Sequence, residues 1–98
     1  MRDRIPDIIR GAGLQPRTHT ADPEEYRVRL RHKLEEEVTE FVKADEHNSA
    51  EELADILEVV YALAAELDLT PEQLEQLRKK KAAERGGFTK GIVWAGNV

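Results

Sequence analysis

The sequence predicts an all-α fold: a helical bundle of three main helices plus a short N-terminal helix, oligomeric, with an extended C-terminal arm. Three observations predict it. Helix-start signatures recur at Asp22-Pro23-Glu24-Glu25, Asn48-Ser49 and Thr70-Pro71-Glu72-Gln73. Apolar residues follow these starts at helical spacing rather than at random. Gly86-Gly87 then stops the last periodic segment.

Ile5 to Arg10 forms the short first helix, ending at the Gly11-Ala12-Gly13 turn, and residues 14–21 read as a polar connection. The second helix is expected near 23–45. Asp22 is its N-cap, Pro23 occupies the first helical position, where its missing N–H costs nothing, and acids fill the first turn. At about 100° per residue, Tyr26, Leu30, Leu34 and Phe41 make one stripe, with Glu37 inside it and Glu40 and Lys33 at its edge. A helix near 49–68 follows, capped by Asn48 or Ser49, each with a Glu three residues on. Leu53, Ile56, Leu57, Val60, Leu63 and Leu67 define its core arc; Glu52 projects inside that arc and Asp55 lies beside it. The last helix, near 71–84, begins with the Thr70 cap and its Gln73 partner. From Phe88 the chain is too short and glycine-broken for another helix, but Phe88, Ile92, Val93 and Trp94 are apolar enough to dock as an arm.

Ninety-eight residues make one domain, residues 1–98, with a modest core. With 36% charged and 40% hydrophobic residues the chain is globular rather than disordered. It has no cysteine, so disulfides and thiolate metal sites are excluded. The longest apolar run, Val59 to Ala65, cannot cross a bilayer, and the N-terminus lacks the apolar stretch of a signal peptide, which makes the cytoplasm the expected compartment. A net charge of −5 argues against a nucleic-acid or membrane binder. Over Val59-Val60-Tyr61-Ala62-Leu63-Ala64-Ala65 the third helix is apolar nearly all round, so it needs more partners than its short neighbours supply. A homodimer or homotetramer is expected.

Two acidic pairs carry the chemistry. Glu37-x-x-Glu40 and Glu52-x-x-Asp55 lie on successive helices joined by a short turn. Residues three apart share a helix face, so a hairpin of the two brings four carboxylates to one point. Such a set suits a hard divalent cation, and Mg²⁺ held this way serves phosphate chemistry. Glu37 and Glu52 also sit where apolar residues are expected, and a buried carboxylate is costly without a partner or a metal. Each acid has a plainer reading. Ser49-Ala50-Glu51-Glu52 is itself a capping box, although Asn48 with Glu51 can take that role instead. Glu35, Glu36, Glu40 and Asp55 can pair in solvent with Arg31, Lys33 or Lys43.

The acids concentrate between Asp22 and Glu75, the bases at Arg2/Arg4 and from Arg78 to Lys90. That distribution suits a metal-bound polyanion, with helix-terminal decoration for solubility as the alternative. His19, His32 and His47 have no zinc spacing, and no Ser–His–Asp set or phosphate-binding glycine loop is present.

The ordered segments Lys33-Leu34-Glu35-Glu36-Glu37-Val38-Thr39-Glu40-Phe41 and Glu51-Glu52-Leu53-Ala54-Asp55-Ile56-Leu57-Glu58 resemble the MazG-like and phosphoribosyl-ATP pyrophosphohydrolase-like superfamily, whose hallmark is E-x-x-E, a spacer, then E-x-x-D. The opening Arg2-Asp3-Arg4-Ile5-Pro6-Asp7-Ile8-Ile9 and the ending Lys81-Ala82-Ala83-Glu84-Arg85-Gly86-Gly87-Phe88-Thr89-Lys90-Gly91-Ile92 are similar to a small single-domain branch. The resemblance implies an oligomeric all-α bundle and a Mg²⁺-dependent nucleoside triphosphate pyrophosphohydrolase, cutting between the α- and β-phosphates, with Mn²⁺ as an alternative ion. Carried over, the metal ligands are Glu37, Glu40, Glu52 and Asp55. Two departures stand out: only eleven residues separate Glu40 from Glu52, and the extra acids Glu36 and Glu58 blur the ligand register.

Glu36 or Glu37 is then the candidate base that orients the attacking water. Lys33, one turn before Glu37, is placed to touch a phosphate oxygen. Arg78, Lys81 and Arg85 can grip the phosphate tail if the end of the last helix covers the site; interaction with the helix dipole is the alternative, preferred for Lys79 and Lys80. Hydrolysis of phosphoribosyl-ATP in histidine biosynthesis and a non-catalytic acidic assembly module are the competing functions.

Overall fold

A computed structural model describes residues 1–98, which form four helices and no strands: α1 (Ile5–Gly11), α2 (Pro23–Lys43), α3 (Ser49–Glu66) and α4 (Pro71–Arg85). The all-α expectation holds. Boundaries differ by a few residues at the C-terminal ends, where Ala44 turns extended after α2 and Leu67 caps α3.

Local chemistry explains most of the starts. Asp22 accepts from the Glu25 N–H with Pro23 directly after it. Thr70 and Gln73 form a reciprocal capping box, Thr70 Oγ1 accepting from Gln73 N at 3.1 Å and Gln73 Oε1 from Thr70 N at 2.9 Å. The start of α3 differs from expectation. Asn48 adopts a helical conformation (φ −102°, ψ −8°), and neither its side chain nor that of Ser49 caps the helix. Both turn back to Asp45 instead: Asn48 Nδ2 donates to Asp45 Oδ1 and Ser49 Oγ to the Asp45 carbonyl. Asp45 therefore organises the turn between α2 and α3, and Glu52 is not committed to a cap.

α2 and α3 fold into an antiparallel hairpin, the main packing of the chain, while α4 packs against α3. At one end of the hairpin Arg27 pairs with Glu66. At the other, Glu37 meets Glu52 and Asp55. The chain leaves α3 through a Schellman turn, with Leu69 N–H bonded to Ala64 O and Asp68 N–H to Ala65 O. Asp68 takes the left-handed conformation this turn needs, at φ 59°.

Within one chain only Val59, Ala64 and Glu37 are buried. The expected α3 arc is partly displaced: Leu53, Leu57 and Leu67 are exposed, while Val59, with Ile56 and Leu63 half-buried beside it, faces inward. The helix has more apolar surface than α2 and α4 cover, so the pattern that predicts an apolar arc cannot select which part of it meets α2. On α2, Leu30, Leu34 and Phe41 are half-buried and Tyr26 sits at the exposed margin. Beyond Gly86 the chain is irregular, with Phe88, Ile92, Val93 and Trp94 all exposed. No helix is long and apolar enough to cross a membrane.

Candidate metal centre

Glu37 comes from the C-terminal third of α2 and Glu52 and Asp55 from the first two turns of α3, the register the hairpin imposes. One carboxylate oxygen from each can be chosen so that all three lie within 4.8 Å of one another. Glu37 is 6% exposed, an unusual environment for an ionisable side chain. Its Oε2 and the Oε2 of Glu52 are buried with no hydrogen-bond partner. Buried oxygens of this kind are costly to leave alone. Three hard donors brought together, two of them with a buried unpartnered oxygen, fit a divalent cation of the Mg²⁺ or Mn²⁺ class.

Lys33 offsets part of this negative charge. Its Nζ lies 3.0 Å from Glu37 Oε1 and 3.5 Å from Glu36 Oε1. The bond to Glu37, joined by the charges of Glu37 and Glu36, raises the Lys33 pKa above its ordinary value despite partial burial. Lys33 reaches only one side of the cluster, and the Oε2 atoms of Glu37 and Glu52 stay without a partner.

The remaining sequence candidates fall in different places. Glu40 is exposed and lies outside the close trio, but its carboxyl is pushed above the usual range, first by the charge of Glu37 and then by partial desolvation and the charge of Glu52. Glu40 is thus electrostatically part of the group. Glu36 faces outward, with Lys33 as its ion partner. Arg78 is held by both oxygens of Glu75, at 2.6 and 2.9 Å, which lowers the Glu75 pKa and raises that of Arg78. Lys81 and Arg85 are exposed on α4, which packs on α3 and not on α2. No ion pair joins these three bases to the carboxylates.

One neighbour of the cluster comes from far along the chain. Arg2 donates from Nη2 to Asp55 Oδ1 at 2.8 Å. Sequence reasoning noted the basic N-terminus but had no local signal for a contact across 53 positions.

The four acids also sit inside a recognised stretch: residues 8–81 match the family described as phosphoribosyl-ATP pyrophosphohydrolase. The chain belongs to that family. The match spans α2, α3 and the larger part of α4, and so includes both acidic pairs. A 50-residue stretch is also 44% identical to an uncharacterized protein of Mycolicibacterium smegmatis, covering 51% of this chain and 51% of that protein. The similarity thus extends over about half the length of the curated relative. No solved structure matches the chain. The family is described by a pyrophosphohydrolase activity, and the acidic trio lies within the matched stretch.

Proposed function

We propose that this chain is a Mg²⁺-dependent nucleoside triphosphate pyrophosphohydrolase, cleaving the α–β phosphate bond to give a nucleoside monophosphate and pyrophosphate. The observation that carries the reading is the convergence of Glu37, Glu52 and Asp55 from two helices, with a buried unpartnered oxygen on two of them, inside a stretch that matches a pyrophosphohydrolase family.

Glu37, Glu52 and Asp55 would hold the ion, and Glu40, one turn from Glu37, would complete the set. Mg²⁺ bound there supplies neutralisation of phosphate charge, activation of a water and stabilisation of the leaving pyrophosphate, with Mn²⁺ equivalent in donor preference. Lys33 fixes the Glu37 carboxylate through its 3.0 Å contact and can lend a donor to a phosphate oxygen. Glu36, exposed one position before Glu37, or an oxygen of Glu37 itself, accepts the proton of the attacking water. Arg78 contributes to phosphate binding only by giving up Glu75. Lys81 and Arg85 contribute only if their end of α4 is brought over the carboxylates.

The working form is a homodimer or homotetramer, because the exposed apolar faces of α2 and α3 need cover. Release of pyrophosphate from ribo- and deoxynucleoside triphosphates, oxidised and deaminated nucleotides and phosphoribosyl-ATP tests this function, with the second product identified. A nucleoside monophosphate from a triphosphate substrate is expected. Orthophosphate as the first product, or turnover of phosphoribosyl-ATP alone, would overturn the proposed substrate class.

A further inference from the structure

We propose that Arg2 is a phosphate-gripping residue of this site: its guanidinium, seated on Asp55, passes to the polyphosphate when the carboxylates take a metal. This inference rests on the metal-centre reading of the carboxylates and adds a residue to it.

Arg2 Nη2 lies 2.8 Å from Asp55 Oδ1, and Asp55 is one of the three acids whose oxygens converge. Among residues 1–18 this is the ion pair that reaches the rest of the chain, since Arg10 pairs locally with Asp7 and α1 packs against no other helix; His19, just before α2, contacts Glu25. Fifty-three positions of sequence separate the two residues, so helical spacing does not produce the contact.

The pair also has the properties of a temporary partner. Its side chains are 55% and 40% exposed, and exposed ion pairs of this kind contribute little to stability. Only one guanidinium nitrogen is engaged, which leaves the rest of a five-donor fork without a hydrogen-bond partner. A cation at Asp55 would compete directly with that nitrogen for the carboxylate and repel the guanidinium. The segment carrying Arg2 is held by no helix packing, so it is free to follow a new anionic partner.

The other bases cannot fill this role as they stand. Lys33 is occupied by Glu37 and Glu36 and supplies a compact point charge rather than a fork. Arg78 is tied to Glu75 by two nitrogens. Arg2 is the guanidinium already in contact with the carboxylate group. A polyphosphate bound through a metal presents several anionic oxygens on the solvent side, which a planar fork can take two at a time.

The test uses inorganic tripolyphosphate as the probe, so that no base contact is involved, with the whole chain, Arg2→Ala and Arg2→Lys compared by calorimetric titration. Mg²⁺ binding alone is measured first. The wild type should bind Mg²⁺, and Arg2→Ala should bind it at least as tightly, because a competing cation has gone. With Mg²⁺ saturating, Arg2→Ala should weaken tripolyphosphate binding about tenfold or more, the size expected for a lost charge-assisted hydrogen bond. Arg2→Lys should restore only part of it. Unchanged tripolyphosphate affinity in Arg2→Ala, with Mg²⁺ binding intact, overturns the role of Arg2 and leaves the metal centre standing. Full rescue by Arg2→Lys together with a melting temperature lowered in Arg2→Ala would instead make the pair a structural clasp and also overturn it. A wild type that binds neither Mg²⁺ nor tripolyphosphate removes the metal-centre reading and this inference together.

Discussion

Glu37 concentrates the tension of this molecule in one side chain. It is buried, one oxygen is held by Lys33 and the other has no partner. Its charge is the first cause of the raised pKa of Glu40. That direction fixes a sign. Because the folded-state pKa of Glu40 lies above its unfolded value, ionised Glu40 destabilises the fold, and the penalty grows as pH rises from the unfolded pKa through the folded one. A divalent cation removes the repulsion. The increase in melting temperature produced by Mg²⁺ should therefore be small at the acid end of the carboxylate range and grow as pH rises out of it. In Glu40→Gln the dependence should be shallower. A stabilisation independent of pH in the wild type would contradict this electrostatic account. For Lys33 the charged form is the stabilising one: its contribution is complete below its unfolded pKa and is lost as pH rises through the raised folded value.

At the scale of the elements, what is written locally is readable locally. Asp22 with Pro23 and Thr70 with Gln73 satisfy helix-end donors within four residues, and both caps form as their sequences imply. Replacing Thr70 by Ala should cost about 1 kcal/mol in urea denaturation, with the loss of protection concentrated in α4 by hydrogen exchange. Uniform loss across α2 and α3 would mean that α4 is more tightly coupled to the hairpin than its packing on α3 implies. Asn48 and Ser49 were less legible, because Asp45 accepts hydrogen bonds from both side chains and so draws them away from the first N–H groups of α3. The convergence of Glu37, Glu52 and Asp55 was legible because the spacing of each pair is helical and the turn is short. The contact of Arg2 with Asp55 was not, since no periodicity reports a meeting across 53 positions. The exposure of Leu53 and Leu57 was also hidden, because an apolar arc records the need for burial and not the identity of the cover.

The whole molecule is open for its size. Its radius of gyration is 17.6 Å, with extents of 60 × 34 × 24 Å, against about 13 Å for a compact chain of this length. Its accessible surface is 9048 Å², where about 5,700 Å² is expected for a folded monomer of this mass. The excess includes the C-terminal arm, with Trp94 and Phe88 exposed, and the outer faces of α2 and α3, where Val38, Val42, Leu53, Leu57 and Tyr61 lie exposed. Covering surface on this scale matches a large subunit interface. Sedimentation at micromolar concentration should give a dimer or tetramer, and Leu57→Asp should shift it towards smaller species with loss of helical signal. A stable, fully helical monomer would contradict this expectation.

On the proposed mechanism, the carboxylates of α2 and α3 hold the ion on which hydrolysis depends. The most direct measurement is pyrophosphate release by the wild type, Glu37→Gln and Asp55→Asn, each with Mg²⁺ and with EDTA, on samples whose helical circular dichroism is intact. The wild type should release pyrophosphate with Mg²⁺ only, and each variant should lose about a hundredfold or more. Pyrophosphate release that survives EDTA, or that continues undiminished in both variants, would contradict this mechanism.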